Sequence, residues 1–174
     1  MIITKDNINK FVEPNFQLTM DCSDSGITEI KYIPKSVKIL YCYTNQLTSL
    51  PILPDNLTHL YCYDNKLIEL PDLPNKLEYL YCYKNELIKL PTLPDSLKEL
   101  YCYKNQLTEI SYIPNNLLNL FCYDNKLTLL PILPEHLDNL YCHNNNLPYK
   151  ITEENIKKHN KLIKRKQILN KLNN

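Results

Sequence analysis

Residues 58–77 read THLYCYDNKLIELPDLPNKL, and close variants of this string recur along the 174-residue chain. The cysteine marks the repeat most clearly. Successive cysteines are always 20 residues apart, at Cys22, Cys42, Cys62, Cys82, Cys102, Cys122 and Cys142. Disulfide frameworks and zinc motifs lack such regularity, so the spacing indicates one structural unit copied seven times.

The junction between two units carries the motif Leu77-x-x-Leu80-x-Cys82-x-x-Asn85-x-Leu87. It matches the leucine-rich-repeat consensus LxxLxLxxNxL, with cysteine in place of the third leucine. The remainder of the unit, LPxLPxxL, resembles the short repeats of bacterial effector leucine-rich-repeat proteins. The cysteine-containing variant resembles repeats of giant DNA viruses of amoebae. The resemblance implies a solenoid but no single function, because this fold hosts many.

The alternation of residue types predicts a strand around each cysteine. In residues 79–83, YLYCY, Leu80 and Cys82 fall on one side of an extended chain and the tyrosines fall on the other. Asn85 follows the strand, and its amide can both donate and accept hydrogen bonds, which suits a turn repeated in register.

The second half of each unit is rich in proline. Pro91 and Pro94 remove backbone donors and disfavour helical conformations in the residues before them, so we expect an extended or polyproline II segment. Together these features predict a leucine-rich-repeat solenoid. It has seven short parallel strands on its concave face, extended convex segments, a short N-terminal helical cap and a longer C-terminal helical cap.

An open stack of strands needs a cap at each end. We therefore divide the chain into an N-terminal cap (residues 1–17), a solenoid of seven 20-residue units (18–147) and a basic C-terminal capping helix (148–174). Residues 4–12 are expected to form a short helix that ends at Pro14. A longer helix is expected from about residue 153 to 171, with Thr152 as its N-cap.

Charge is distributed unevenly along the chain. Residues 1–147 contain 12 Lys and 17 acidic residues, whereas residues 148–174 contain 8 Lys or Arg and 2 Glu, so the net charges are −5 and +6. Two interpretations of the basic segment stay open. It is either a cap only, or a cap that also docks a nucleic acid, an acidic membrane or a second protomer.

The residues that flank the cysteines are mostly tyrosines, and in this fold they line the concave surface. They either stack only on one another or also form a binding platform with large contact area at low entropy cost, and the two interpretations are compatible. Charges of both signs beside them favour a protein or peptide partner over nucleic acid. The candidate binding residues are Tyr61, Tyr63, Tyr79, Tyr81, Tyr83, Lys84, Glu99, Tyr101, Tyr103, Lys104, Phe121 and Tyr123.

No catalytic residue, metal site or cofactor is predicted. The cysteines form a line with one residue per strand at a core position, which favours buried, poorly nucleophilic thiols over metal ligands. The four histidines are dispersed, and a single glycine in the chain argues against a phosphate-binding loop. Enzymatic activity is therefore not expected.

An odd number of cysteines at strand positions points to a reducing compartment. Neither a secretory signal nor a transmembrane segment is apparent. We expect a cytoplasmic protein, in the host-cell cytoplasm if the viral resemblance holds. The favoured function is a non-catalytic protein–protein interaction module that binds an unidentified protein or peptide, with a host protein as one option. The alternatives are a structural, self-assembling (homo-oligomeric) repeat protein and a basic helix that docks nucleic acid or acidic membrane, nucleic acid being the less favoured.

Overall fold

The computed structural model describes residues 1–12 and 18–172. Within these ranges the chain forms nine short strands: β1 (Ile2–Ile3), β2 (Thr19–Asp21), β3 (Glu29–Ile30), β4 (Ile39–Tyr41), β5 (His59–Tyr61), β6 (Tyr79–Tyr81), β7 (Glu99–Tyr101), β8 (Asn119–Phe121) and β9 (Asn139–Tyr141). Its helical elements there are two 3-10 turns, Ile8–Lys10 and Glu153–Asn155, and one α-helix, α1 (Ile156–Leu172).

Seven of the strands form one parallel sheet in the order β2-β4-β5-β6-β7-β8-β9. The register advances by one whole repeat from strand to strand, so Leu40 lies opposite Leu60 and Tyr41 lies opposite Tyr61. The other neighbouring pairs keep the same offset. Each side chain therefore lies beside its counterpart in the next repeat, at a strand spacing of about 4.8 Å. The predicted solenoid of parallel strands is confirmed.

The hydrophobic core lies on one side of this sheet. Leu60, Cys62, Leu67 and Leu77 have no exposed surface, and Leu70 is 7% exposed. Strand alternation directs the intervening residues to the opposite side. Because every repeat supplies the same buried columns, one continuous core runs along the stack, and each repeat is stabilised by its neighbours.

The return legs on the convex side are extended, as predicted. Between β4 and β9 the connecting segments contain no helix. The legs before β5, β6, β7 and β8 each end in a β-turn that the sequence did not suggest. In this turn a leucine N–H donates to the carbonyl of the proline three residues earlier. The N–O distance is 3.0 Å for Leu57 and Pro54, and the same bond recurs at Leu77, Leu97 and Leu117. Asp55 and Asn56 occupy the middle of the first of these turns, where such residues are favoured.

The N-terminal segment differs from the helix expected over residues 4–12. It contains a single 3-10 turn, and β1 pairs in parallel with β3. Asn7 explains part of the difference, because its Oδ1 accepts the Thr4 N–H at 2.8 Å and its Nδ2 donates to the Ile2 carbonyl at 2.9 Å. These bonds satisfy backbone groups without a helix. Pro14, the predicted end of that helix, lies outside the described residues.

The predicted C-terminal helix is confirmed, although its first turn is a 3-10 turn that precedes α1. At its start the Thr152 N–H donates to Asn155 Oδ1 at 3.1 Å, so the residue predicted as the N-cap is bonded to the first turn. Among the described residues, no helix is long and apolar enough to span a lipid bilayer.

Candidate functional site

The aromatic residues beside the cysteines form two parallel columns on the side of the sheet opposite to the core. Strand alternation places the residue before each cysteine and the residue after it on this side. The first aromatic column consists of Tyr41, Tyr61, Tyr81, Tyr101, Phe121 and Tyr141. The second aromatic column consists of Tyr43, Tyr63, Tyr83, Tyr103, Tyr123 and His143.

The second aromatic column is an unbroken stack from Tyr43 to His143. Successive ring centroids are 4.3–4.7 Å apart and successive ring planes differ by 5–9°. These distances match the spacing of the strands that carry the rings. The ring faces are therefore covered by neighbouring rings, and what the column presents to solvent is ring edges and hydroxyl groups.

The first aromatic column is interrupted between Tyr61 and Tyr81. Their centroids are 4.9 Å apart, but the rings are nearly perpendicular, at 87°. Beyond this point Tyr81 stacks on Tyr101 at 4.2 Å and 2°. The Tyr81 hydroxyl donates to Glu99 Oε2 at 2.5 Å, a charge-assisted bond that holds the ring toward the C-terminal repeats.

Glu99 belongs to a polar border along one side of the first column. Its Oε1 accepts from Asn119 Nδ2 at 3.2 Å, and Asn119 Oδ1 accepts from Asn139 Nδ2 at 2.7 Å. Nearer the N-terminus the same border is aromatic, because the rings of His59 and Tyr79 stack with their centroids 4.4 Å apart. The border is thus aromatic at one end and a chain of hydrogen-bonded carboxylate and amide groups at the other.

The opposite border, beside the second column, has an unusual backbone. The residue two places after each cysteine has a positive φ of 46–56°, at Asp24, Thr44, Asp64, Lys84, Lys104, Asp124 and Asn144. Asp and Asn tolerate this left-handed region, whereas Thr and Lys adopt it at a cost of about 1–2 kcal/mol. Lys84 Nζ lies 3.7 Å from Asp64 Oδ2 in an exposed ion pair, and such a pair contributes little stability.

The hydroxyls of Tyr81 and Tyr83 stay neutral at physiological pH. Burial, followed by the hydrogen bond to Glu99, raises the pKa of Tyr81 well above its usual range. Burial is also the largest cause of the raised pKa of Tyr83, followed by the neighbouring Tyr103 and Tyr63. A tyrosine hydroxyl can both donate and accept a hydrogen bond, so the columns offer rows of such groups at the spacing of the strands.

A ladder of asparagines joins the backbones of the repeats that carry the aromatic columns. Asn105 Nδ2 donates to the carbonyls of Cys82 (3.0 Å) and Cys102 (3.1 Å), and its Oδ1 accepts the Leu87 N–H at 3.0 Å. One amide therefore joins two successive repeats. Asn45, Asn65, Asn85, Asn125 and Asn145 make the corresponding bonds. This ladder fixes the height and spacing of the strands that carry the rings.

The cysteines are core residues without a reactive setting, as predicted. All seven are buried. Burial raises the pKa of Cys82 to about 12 and that of Cys102 well above its ordinary value. Such thiols are not ionised at neutral pH and are poor nucleophiles. No group of three or more His, Cys, Asp or Glu residues within the described ranges is arranged to hold a metal ion.

The twelve candidate binding residues lie on one surface. The tyrosines and Phe121 of the two columns are half-buried by stacking, Tyr79 and Glu99 form one border, and the exposed Lys84 and Lys104 lie on the other. The left-handed backbone was missed, although Asp or Asn at four of its seven positions was a usable signal. The bond from Tyr81 to Glu99 had no sequence signal, because the two residues are 18 positions apart.

Comparison with solved structures identifies the class of protein. The chain is a leucine-rich-repeat solenoid of the kind found in bacterial effector proteins, as the resemblance in its repeats implied. No family model and no curated protein matches it. The resemblance to giant-virus repeats stays a prediction.

Three similar structures carry this assignment. YopM from Yersinia enterocolitica WA-314 superposes with a TM-score of 0.75 at 38% identity, over 77% of this chain and 30% of YopM. A Shigella effector leucine-rich-repeat domain superposes with a TM-score of 0.71 at 32% identity, over 77% of this chain and 61% of that domain. YopM from Yersinia pestis superposes with a TM-score of 0.65 at 26% identity, over 76% of this chain and 52% of that protein. The chain thus spans between 30% and 61% of these proteins.

Proposed function

We propose that this chain is a non-catalytic interaction module that binds a protein or peptide through the two aromatic columns and their borders. The observation that carries the proposal is the pair of ring columns, which run side by side over six repeats and are bordered by charges of both signs. Large, rigid side chains with polar tips give contact area at low entropy cost. The similarity to bacterial effector proteins supports the same class of function.

The chemistry of the surface favours a partner that accepts hydrogen bonds. Ring faces within the columns are taken up by stacking, so a partner meets hydroxyl groups and ring edges. Glu99 on one border and Lys104 on the other add one charge of each sign. An extended peptide, with backbone carbonyls and N–H groups along its length, matches such rows better than a flat aliphatic surface does.

We place this activity in a reducing, cytoplasmic compartment, with an unidentified protein or peptide as the partner and a host-cell protein as one option. Support comes from the cysteine column, because Cys62, Cys82 and Cys102 are buried thiols with no disulfide. In an oxidising compartment, unfolded or newly made chains with seven thiols would form mixed disulfides before the stack closes over them.

The test is affinity capture followed by measurement of the dissociation constant for the captured protein. Tyr101→Ala and Tyr103→Ala remove rings from the middle of the columns. Ile52→Ala is the matched control, because Ile52 is 90% exposed on the convex side. We expect each tyrosine variant to bind the partner at least about tenfold more weakly, which corresponds to about 1.4 kcal/mol, and the control to bind like the wild type.

Tyr103→Phe separates recognition from folding, since it keeps the stack and removes one hydroxyl. A weaker partner affinity for this variant, with unchanged stability toward urea, supports the hydroxyl rows as the binding groups. Equal loss of binding in the concave and convex variants contradicts the proposal. If light scattering instead shows that the protein associates with itself and the tyrosine variants abolish that association, the face is a contact between copies.

A further inference from the structure

Helix α1 presents two different faces to its surroundings. Ile156, His159, Asn160 and Ile163 are buried against the last repeats. Every residue from 164 to 172 is exposed. The helix therefore has an anchored first half and a second half that extends about 13 Å further, at 1.5 Å per residue.

The anchored face is specific and polar as well as apolar. Asn160 Oδ1 accepts the Leu133 N–H at 2.8 Å, and Asn160 Nδ2 donates to the Leu133 carbonyl at 2.8 Å. His159 Nε2 lies 2.9 Å from the Pro131 carbonyl, and its Nδ1 lies 2.9 Å from the Tyr149 hydroxyl. These bonds fix the rotation of the helix about its own axis.

That fixed rotation determines where the rest of the helix points. With 3.6 residues per turn, Ile168, Leu169 and Leu172 lie on the side of the helix about 180° from the anchored face. They are 58%, 58% and 75% exposed. Lys161 and Arg165 precede them on the same side. We call Lys161, Arg165, Ile168, Leu169 and Leu172 the distal face.

The charge of the helix limits what can cover the distal face. Helix α1 contains seven basic residues and no acidic residue. Pairing the distal faces of two copies would bring like charges together. A nucleic acid would neutralise Lys161 and Arg165 but would leave three adjacent aliphatic side chains in water. The occupant must combine negative charge with an apolar interior.

We propose that the distal face docks on the surface of an anionic lipid bilayer. The aliphatic side chains enter the boundary between headgroups and acyl chains, and the basic side chains contact the anionic headgroups. Because the distal face lies opposite to the anchored face, docking leaves the bonds of Asn160 and His159 intact. The concave aromatic columns play no part in this contact, so the inference goes beyond the proposed binding module and stands independently of it.

The test is flotation of the intact protein with phosphatidylcholine vesicles, with and without phosphatidylserine. We expect binding only to the anionic vesicles, and weaker binding as salt is added. The triple substitution Ile168→Ser, Leu169→Ser and Leu172→Ser should weaken binding roughly a hundredfold, because three largely exposed aliphatic side chains no longer enter the bilayer. Lys161→Gln with Arg165→Gln should weaken it roughly thirtyfold at low salt.

Matched controls exist within the chain. Ile52, Ile68 and Ile88 are 90%, 56% and 56% exposed on the repeats, so their triple change to Ser removes a similar apolar area elsewhere. Lys66→Gln with Lys126→Gln removes two exposed charges elsewhere. Both controls should float like the wild type. All substituted positions are exposed, so unchanged circular dichroism is expected throughout.

Three results would overturn the proposal. One is equal binding to neutral and anionic vesicles, or binding to neither. Another is self-association in the absence of lipid that the distal triple variant abolishes, which would make a second copy the occupant. The last is binding to duplex DNA that depends on Lys161 and Arg165 but not on the three aliphatic residues, together with no flotation.

Discussion

Mild alkali should unfold this protein through its cysteine column. Six of the thiols are at most 1% exposed, and burial raises the pKa of each above its ordinary value: Cys22, Cys42, Cys62, Cys82, Cys102 and Cys122. In the unfolded chain these thiols lose their protons above a pH of about 8.5. The stabilisation is therefore complete below that pH and is lost as the pH rises, because only the unfolded state gains by releasing protons.

The magnitude follows from the number of thiols. At pH values near 9.5, ionisation of each exposed thiol stabilises the unfolded state by about 1 kcal/mol. Six thiols together therefore lower the free energy of unfolding by roughly 5–8 kcal/mol. The free energy of unfolding of an ordinary domain is about 5–15 kcal/mol. The column alone can thus remove most of the stability within about one pH unit, whereas a single buried cysteine would remove only about 1 kcal/mol.

The assay is urea denaturation followed by far-UV circular dichroism in a reducing buffer, at a series of pH values between about 7 and 9.5. Measurements stop there because the raised pKa of Tyr83 and of Tyr81 adds a loss of the same sign at higher pH. We expect the free energy of unfolding to be nearly constant up to a pH of about 8 and then to fall steeply.

Cys102→Ala is the control that assigns the effect. At neutral pH the variant should be less stable by about 1–2 kcal/mol, because it leaves a small cavity. As the pH rises its disadvantage should shrink by about 1 kcal/mol, since the variant has one proton fewer to release on unfolding. Parallel curves for the variant and the wild type, or a wild type whose stability is unchanged at a pH of about 9.5, would refute the reasoning. Rapid labelling of the native thiols would refute its premise of buried cysteines.

Three further predictions concern single side chains and are checked by the same urea titration at neutral pH. Asn105→Ala should cost about 2–3 kcal/mol, because the Leu87 N–H loses the Asn105 amide oxygen and the Cys82 carbonyl loses one of its two amide donors; a cost no larger than that of an exposed substitution would contradict the ladder. Thr44→Asn should stabilise the fold by about 1 kcal/mol, since a β-branched residue there has φ of 52°, and a loss of stability would contradict this. Asn160→Ala should cost about 2–3 kcal/mol through Leu133, whereas no change would show that α1 is not anchored there.

The sequence predicted the features that recur in every repeat. Period-two alternation around a single cysteine is a weak signal, but seven copies in phase make it decisive. The same reasoning placed Leu80 and Cys82 in the core and Tyr81 opposite to them, which the structure confirms. A helix on the convex side was excluded because two prolines in most units are incompatible with it.

Features that occur once were not predictable in this way. The N-terminal segment has no second copy to reinforce its pattern, and Asn7 bonds to Thr4 and Ile2 in place of a helix. The perpendicular rings of Tyr61 and Tyr81 arise from a bond to Glu99 one repeat away, a contact that exists only after the strands have stacked. Local propensity carries no information about such tertiary contacts.

The interruption at Tyr81 gives the aromatic columns a means to hold a bound chain in one register along the repeats. In an uninterrupted column each rung is nearly equivalent, so a bound chain displaced by one repeat would meet almost the same hydroxyls and edges and lose little affinity. Among the described residues, Tyr61 and Tyr81 form the one perpendicular ring contact between successive repeats, and the Glu99–Asn119 bond is the one carboxylate–amide hydrogen bond along the border of the first column. A partner that contacts them is fixed in register, because displacement leaves a polar group of Glu99 without its match. Under the proposed function, the columns therefore supply contact area, and the region around Tyr81 and Glu99 supplies position.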